Sequence, residues 1–71
     1  MNNEYLVRMA NDIGAFFAAE PSREQAARAV SDHMKRFWDP RMRKQLLEHF
    51  RSGGAGLEEP ARSAAALLAA E

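Results

Sequence analysis

The 71-residue sequence predicts an all-α fold, a small bundle of three helices with a loosely docked C-terminal helix. Three observations predict it. Apolar residues recur at spacings of three and four, which lines them along one face of a 3.6-residue period. Helix-start signals stand at Ser22 and at Asp39-Pro40, and alanine, the strongest helix former, occurs fourteen times.

The first helix is expected over residues 4–19. Leu6, Met9, Ala10, Ile13, Phe16 and Phe17 form its inward line, with Asn3 as cap and Pro21 as terminator. Ser22 opens the second helix, because its hydroxyl can accept from the backbone N–H of Gln25. The inward line there is Ala26, Ala27, Val30, Met34, Phe37 and Trp38, while Glu24, Arg28, Asp32 and Arg36 make a charged ladder on the solvated face. Asp39 caps a third helix over residues 40–51, with Pro40 at a position whose N–H would go unpaired anyway. Met42, Leu46, Leu47 and Phe50 point inward, and the tight join makes an elbow at Phe37 and Trp38. A Gly-rich break over residues 52–56 follows, with Gly53 placed to cap the third helix. The C-terminal segment, 57–71, is helical from about residue 59 to 70. Its large apolar residues are Leu57, Leu67 and Leu68, so loose docking is expected unless a partner covers it. The organisation is thus one small domain, with its core in residues 4–51.

Composition narrows the function. The hydrophobic fraction of 46% is swollen by alanine, and there is no Cys to supply a disulfide or thiolate metal site. Below roughly 70–80 residues a single core seldom contributes more than about 3–5 kcal/mol, so stability completed by a partner is the favoured reading. No export signal is visible at the N-terminus, and no stretch nears the roughly 20 apolar residues that span a bilayer; a cytoplasmic protein is expected.

No catalytic set is visible. His33 and His49 each follow an acid, but neighbours on a helix point roughly 100° apart and cannot grip one ion together. Both read as half-buried histidines at contacts. None of the four serines has a base and oxyanion partner in view, and no strand or Gly-Lys-Ser/Thr accompanies the Gly-rich break as a phosphate loop requires.

Charge and aromatics say more. The formal net charge is zero, yet residues 35–51 hold six basic side chains against two acidic ones, a local +4. Within that region Phe37-Trp38-Asp39-Pro40-Arg41-Met42-Arg43 places the only Trp beside arginines, the composition of a desolvated protein contact. Such a basic end suits an acidic protein surface, nucleic acid, or a plain solvated face. A small nucleic-acid-binding regulator using residues 35–51 is the alternative function. Against it stand overall neutrality and a join shorter than a helix-turn-helix uses. Arg43 favours protein docking, because it sits on the apolar side where a guanidinium needs a carboxylate or carbonyl.

Several strings are also shared with a known family. Leu6-Val7-Arg8-Met9-Ala10-Asn11, Ile13-Gly14, Phe16-Phe17, His33, the 37–43 string and Gly53-Gly54-Ala55-Gly56-Leu57 resemble the delta subunit of soluble NAD-dependent molybdenum- or tungsten-containing formate dehydrogenases. The resemblance implies a non-catalytic accessory subunit or assembly factor that binds no cofactor itself. It also implies a large alpha subunit carrying bis-molybdopterin guanine dinucleotide with Mo or W and iron–sulfur clusters, and beta and gamma subunits passing electrons to FMN and NAD. The expected partner-binding residues are Phe37, Trp38, Arg41, Met42, Arg43 and His33. Phe37 and Trp38 would fill a pocket on the alpha subunit, or else plug this chain's own core. Arg41 and Arg43 would pair with acidic groups or carbonyls.

Overall fold

The computed structural model of the chain describes residues 2–71. Four helices follow in order: α1 Asn3–Phe17, α2 Arg23–Phe37, α3 Pro40–Arg51 and α4 Ala61–Ala69, with no strand among the described residues. The all-helical architecture is the one the sequence predicts.

Local chemistry sets most boundaries. Ser22 and Asp39 accept from the N–H groups of Gln25 and Met42, each at 3.0 Å. The cap of α1 is Asn2, one residue earlier than expected, with its side chain bonded to the N–H groups of Glu4 and Tyr5. Asn3 is thereby freed to accept from Gln45 and tie α1 to α3. At the end of α3, Gly53 donates to the Phe50 carbonyl and Gly54 to that of His49. This paired closure needs a left-handed residue, and Gly53 supplies it at φ 115°.

Leu6, Val30, Met34 and Leu46 are the largest fully buried side chains, with Ala10, Ala61, Ala64 and Ala65 filling the space between helices. α4 packs against α2 more extensively than any other helix pair, and it also touches α1 and α3. The expectation of loose docking is therefore corrected: Ala61, Ala64 and Ala65 are fully buried and Leu68 nearly so. Small side chains each bury little area. Lined along one face, however, they let the α4 backbone approach its neighbours closely, and close approach is what a short helix needs to make dispersion contacts.

That approach also rotates α1. Its buried face is Leu6, Val7, Ala10 and Gly14, while Ile13 is half-buried and Phe16 faces out. A Cβ on Gly14 would lie 3.2 Å from both the Ala61 nitrogen and Pro60 Cδ, so the start of α4 is seated on a bare patch of α1.

Nor is the Gly-rich segment slack. Asn11 donates to the Gly56 carbonyl and accepts from the Glu58 N–H, each at 2.9 Å. Arg62 reaches the carbonyls of Gly54 at 2.7 Å, Leu57 at 3.3 Å and Gly53 at 3.4 Å. His49 Nε2 lies 2.8 Å from the Ala55 carbonyl oxygen. Three side chains from three helices thus strap the loop to the bundle.

Candidate docking surface

The elbow between α2 and α3 is built by Trp38, which leaves the helix in an extended conformation while its N–H still donates to the Met34 carbonyl at 2.9 Å. That turn swings the indole inward, leaving it 5% exposed within the core cluster. Of the two roles open to Trp38, pocket-filling anchor or core plug, its placement is the second.

Arg43 also faces home. Its Nη1 donates to the carbonyls of Lys35 at 2.9 Å and Trp38 at 3.2 Å, and lies 3.5 Å from that of Met34. The guanidinium finds the carbonyl partners the sequence called for, but in its own chain. It closes the C-terminal end of α2, where orphan carbonyls and the negative end of the helix dipole favour a cation. Met42 is half-buried against the core. Of the six expected residues, then, Trp38, Met42 and Arg43 build the elbow, and Phe37, Arg41 and His33 reach its surface.

Phe37 is 72% exposed, although the periodicity placed it on the inward line. It is not isolated. Its ring lies 4.8 Å from His33, His33 lies 6.0 Å from Phe17, and Phe17 meets Phe16 edge-on at 5.0 Å. Phe16, at the far end, is 78% exposed. A row of four rings thus crosses from the C-terminal end of α1 to the C-terminal end of α2.

Phe17 is half-buried against the core, as its place on the inward line predicts, whereas Phe16, expected on the same line, lies on the surface. A signal was present: two adjacent phenylalanines on a helix diverge by roughly 100°, so a narrow buried face accepts only one of them.

Electrostatics frame the row. Arg36 and Arg41 are exposed and enter no ion pair among the described residues, where the pairs are Arg28 with Glu24 and Lys35 with Asp32 and Glu71. The Lys35 ammonium is held above its ordinary value of 10.5, chiefly by its hydrogen bond to Glu71. No group of three or more His, Cys, Asp or Glu side chains that could hold a metal occurs among the described residues. No helix there is long and apolar enough to cross a membrane. What this surface can do chemically is adhere. It offers flat apolar area and free guanidinium groups, held on helices that are capped and packed.

A family model described as NADH-dependent formate dehydrogenase delta subunit FdsD matches residues 5–65, a span that includes the whole ring row, the elbow and the strapped loop. No curated protein and no solved structure matches the chain.

Proposed function

This chain belongs to the family of NADH-dependent formate dehydrogenase delta subunits, and from that premise we propose that it is a non-catalytic accessory subunit that supports assembly or stability of the complex. It docks on the large molybdopterin-containing alpha subunit, in the cytoplasm. The cofactors reside in the partners: bis-molybdopterin guanine dinucleotide with Mo or W, iron–sulfur clusters and FMN.

The observation that carries this reading is the exposed ring of Phe37, on an elbow whose neighbours Trp38 and Arg43 are locked into the fold and where Arg41 is also exposed. Side chains presented on a rigid frame lose little freedom on binding, so more of the contact energy appears as affinity. His49 is occupied by the Ala55 carbonyl, whereas His33 stands in the ring row beside Phe37. The nucleic-acid reading is weakened, because Arg43, one of its arginines at the start of the third helix, is engaged by α2.

The test is capture of the tagged chain from its native cells, followed by identification of what accompanies it. The molybdopterin-binding alpha subunit is expected in stoichiometric yield. Recovery without any formate dehydrogenase subunit would overturn the proposal.

A further inference from the structure

We infer that the docking surface is the whole row Phe16, Phe17, His33 and Phe37, rather than the elbow alone, and that its occupant is an apolar strip on a partner subunit of the formate dehydrogenase, bordered by carboxylates where it meets Arg36 and Arg41. The inference rests on the accessory-subunit reading above and adds the footprint and the chemistry of the partner.

Continuity is the first argument. Exposed large apolar residues scattered singly are ordinary on a protein surface, but contiguous apolar area marks a contact site. Here the two most exposed large hydrophobic residues, Phe16 and Phe37, are the two ends of one chain of ring contacts. Each ring lies within 6.0 Å of the next, centroid to centroid, so the four form one continuous surface. The row is also no longer than about three turns of helix, ~16 Å, a length that one strip on a facing protein can cover.

Charge is the second argument, and it gives the row a direction. On α1, Asp12 stands four residues before Phe16, and Glu20 three residues after Phe17; both are exposed. At the other end Arg36 follows His33 by three residues on α2, and Arg41 stands in the first turn of α3, just past the elbow; both are exposed. None of these four charges is in an ion pair among the described residues. A facing strip is therefore selected for acidic groups at the α2 end and a basic group at the α1 end.

A second copy of the chain, turned by a two-fold axis, also satisfies that polarity. Area decides against it. Phe16 and Phe37, at 78% and 72% exposed, can together bury no more than about 400 Å², and the half-buried Phe17 and His33 add less, so the row falls short of the roughly 800 Å² per partner that a stable dimer buries. A larger subunit can continue past the row onto the exposed basic residues Arg41 and Lys44 of α3.

The experiment measures binding of the full chain to the purified formate dehydrogenase lacking it, alongside light scattering of the free chain. The double variant Phe16→Ala/Phe37→Ala should lose at least about tenfold in affinity with its melting temperature unchanged. Arg36→Glu/Arg41→Glu should lose a similar amount, whereas Tyr5→Ala, an exposed ring outside the row, should bind normally. Wild-type affinity in the Phe double variant would overturn the footprint and leave the accessory role standing. Failure of the unmodified chain to bind any formate dehydrogenase subunit would overturn both. A wild-type dimer that the Phe double variant converts to monomer would identify a second copy as the occupant and overturn the assignment to a partner subunit.

Discussion

The strapped loop and the ring row solve opposite problems within one short chain. Around residues 53–58 nearly every carbonyl is met by the chain itself, through Arg62, Asn11 and His49, and Val7 lies against Gly56. Along Phe16, Phe17, His33 and Phe37 the rings meet each other; Phe17 rests on the core, and Phe16 and Phe37 face water. A short chain has too little interior for all its aromatics. Building the contacts of α4 from small residues, alanines against α2 and Gly14 of α1 against its start, leaves bulky rings free for a surface, so economy in the core and an adhesive exterior are one design.

The largest expected effect tests that division directly. Met34 is fully buried, and Met34→Ala should destabilise by about 2–5 kcal/mol through lost transfer energy and a cavity. For a chain of this size that is most of its stability, on the order of 3–5 kcal/mol. Phe37→Ala, three residues on, should stay within about 0.5 kcal/mol of wild type. Urea unfolding followed by far-UV circular dichroism compares the two. If Phe37→Ala costs as much as Met34→Ala, the row is core and the contrast collapses.

Arg62 and Arg43 sharpen the contrast at intermediate size. Each guanidinium serves backbone carbonyls only, so removing it should cost about 1–3 kcal/mol, the range for hydrogen bonds to charged groups. Arg62→Lys should recover only part of the loss, since an ammonium cannot span carbonyls that a planar fork reaches together. Amide exchange should accelerate in residues 53–58 for the Arg62 variants, and at the end of α2 for Arg43→Ala. Exchange unchanged in both segments would mean that these bonds do not hold the backbone.

These arginines also show where the sequence was readable. Ser22, Asp39 and Gly53 could be assigned because a cap acts within three or four residues. Arg43 could be given a need, though not a partner, because the helix pattern fixed its side and only the elbow's turn decides which carbonyls it meets. Trp38 kept two readings open for the same reason: one extended residue chooses between core and solvent. Phe16 was placed inward because a helical stripe is broad, and which edge is buried depends on where α4 lands. Asn11 is invisible as a strap in a linear reading, since its partners Gly56 and Glu58 lie more than forty residues away. The docking of α4 is not legible in the sequence because alanines announce helix and conceal packing.

The smallest effect concerns the outer tie on the α2–α4 side, the 2.7 Å ion pair between Lys35 and Glu71. Both side chains are substantially exposed, so the pair is screened, and α4 should stay docked without it. Its signature is in pH. The Lys35 pKa is raised on folding, first by the hydrogen bond to Glu71 and then by the nearby carboxylates. A raised folded-state value contributes stability that is complete below the ordinary 10.5 and is lost as pH climbs through the folded value. The melting temperatures of wild type and Glu71→Gln should therefore differ by a small constant amount from neutral pH to about 10, then converge in stronger alkali. High salt should shrink the gap at neutral pH. If Glu71→Gln instead frees the α4 amides to exchange at the rate of an unfolded segment, charge and not alanine packing holds that helix, and the interior side of the comparison would have to be redrawn.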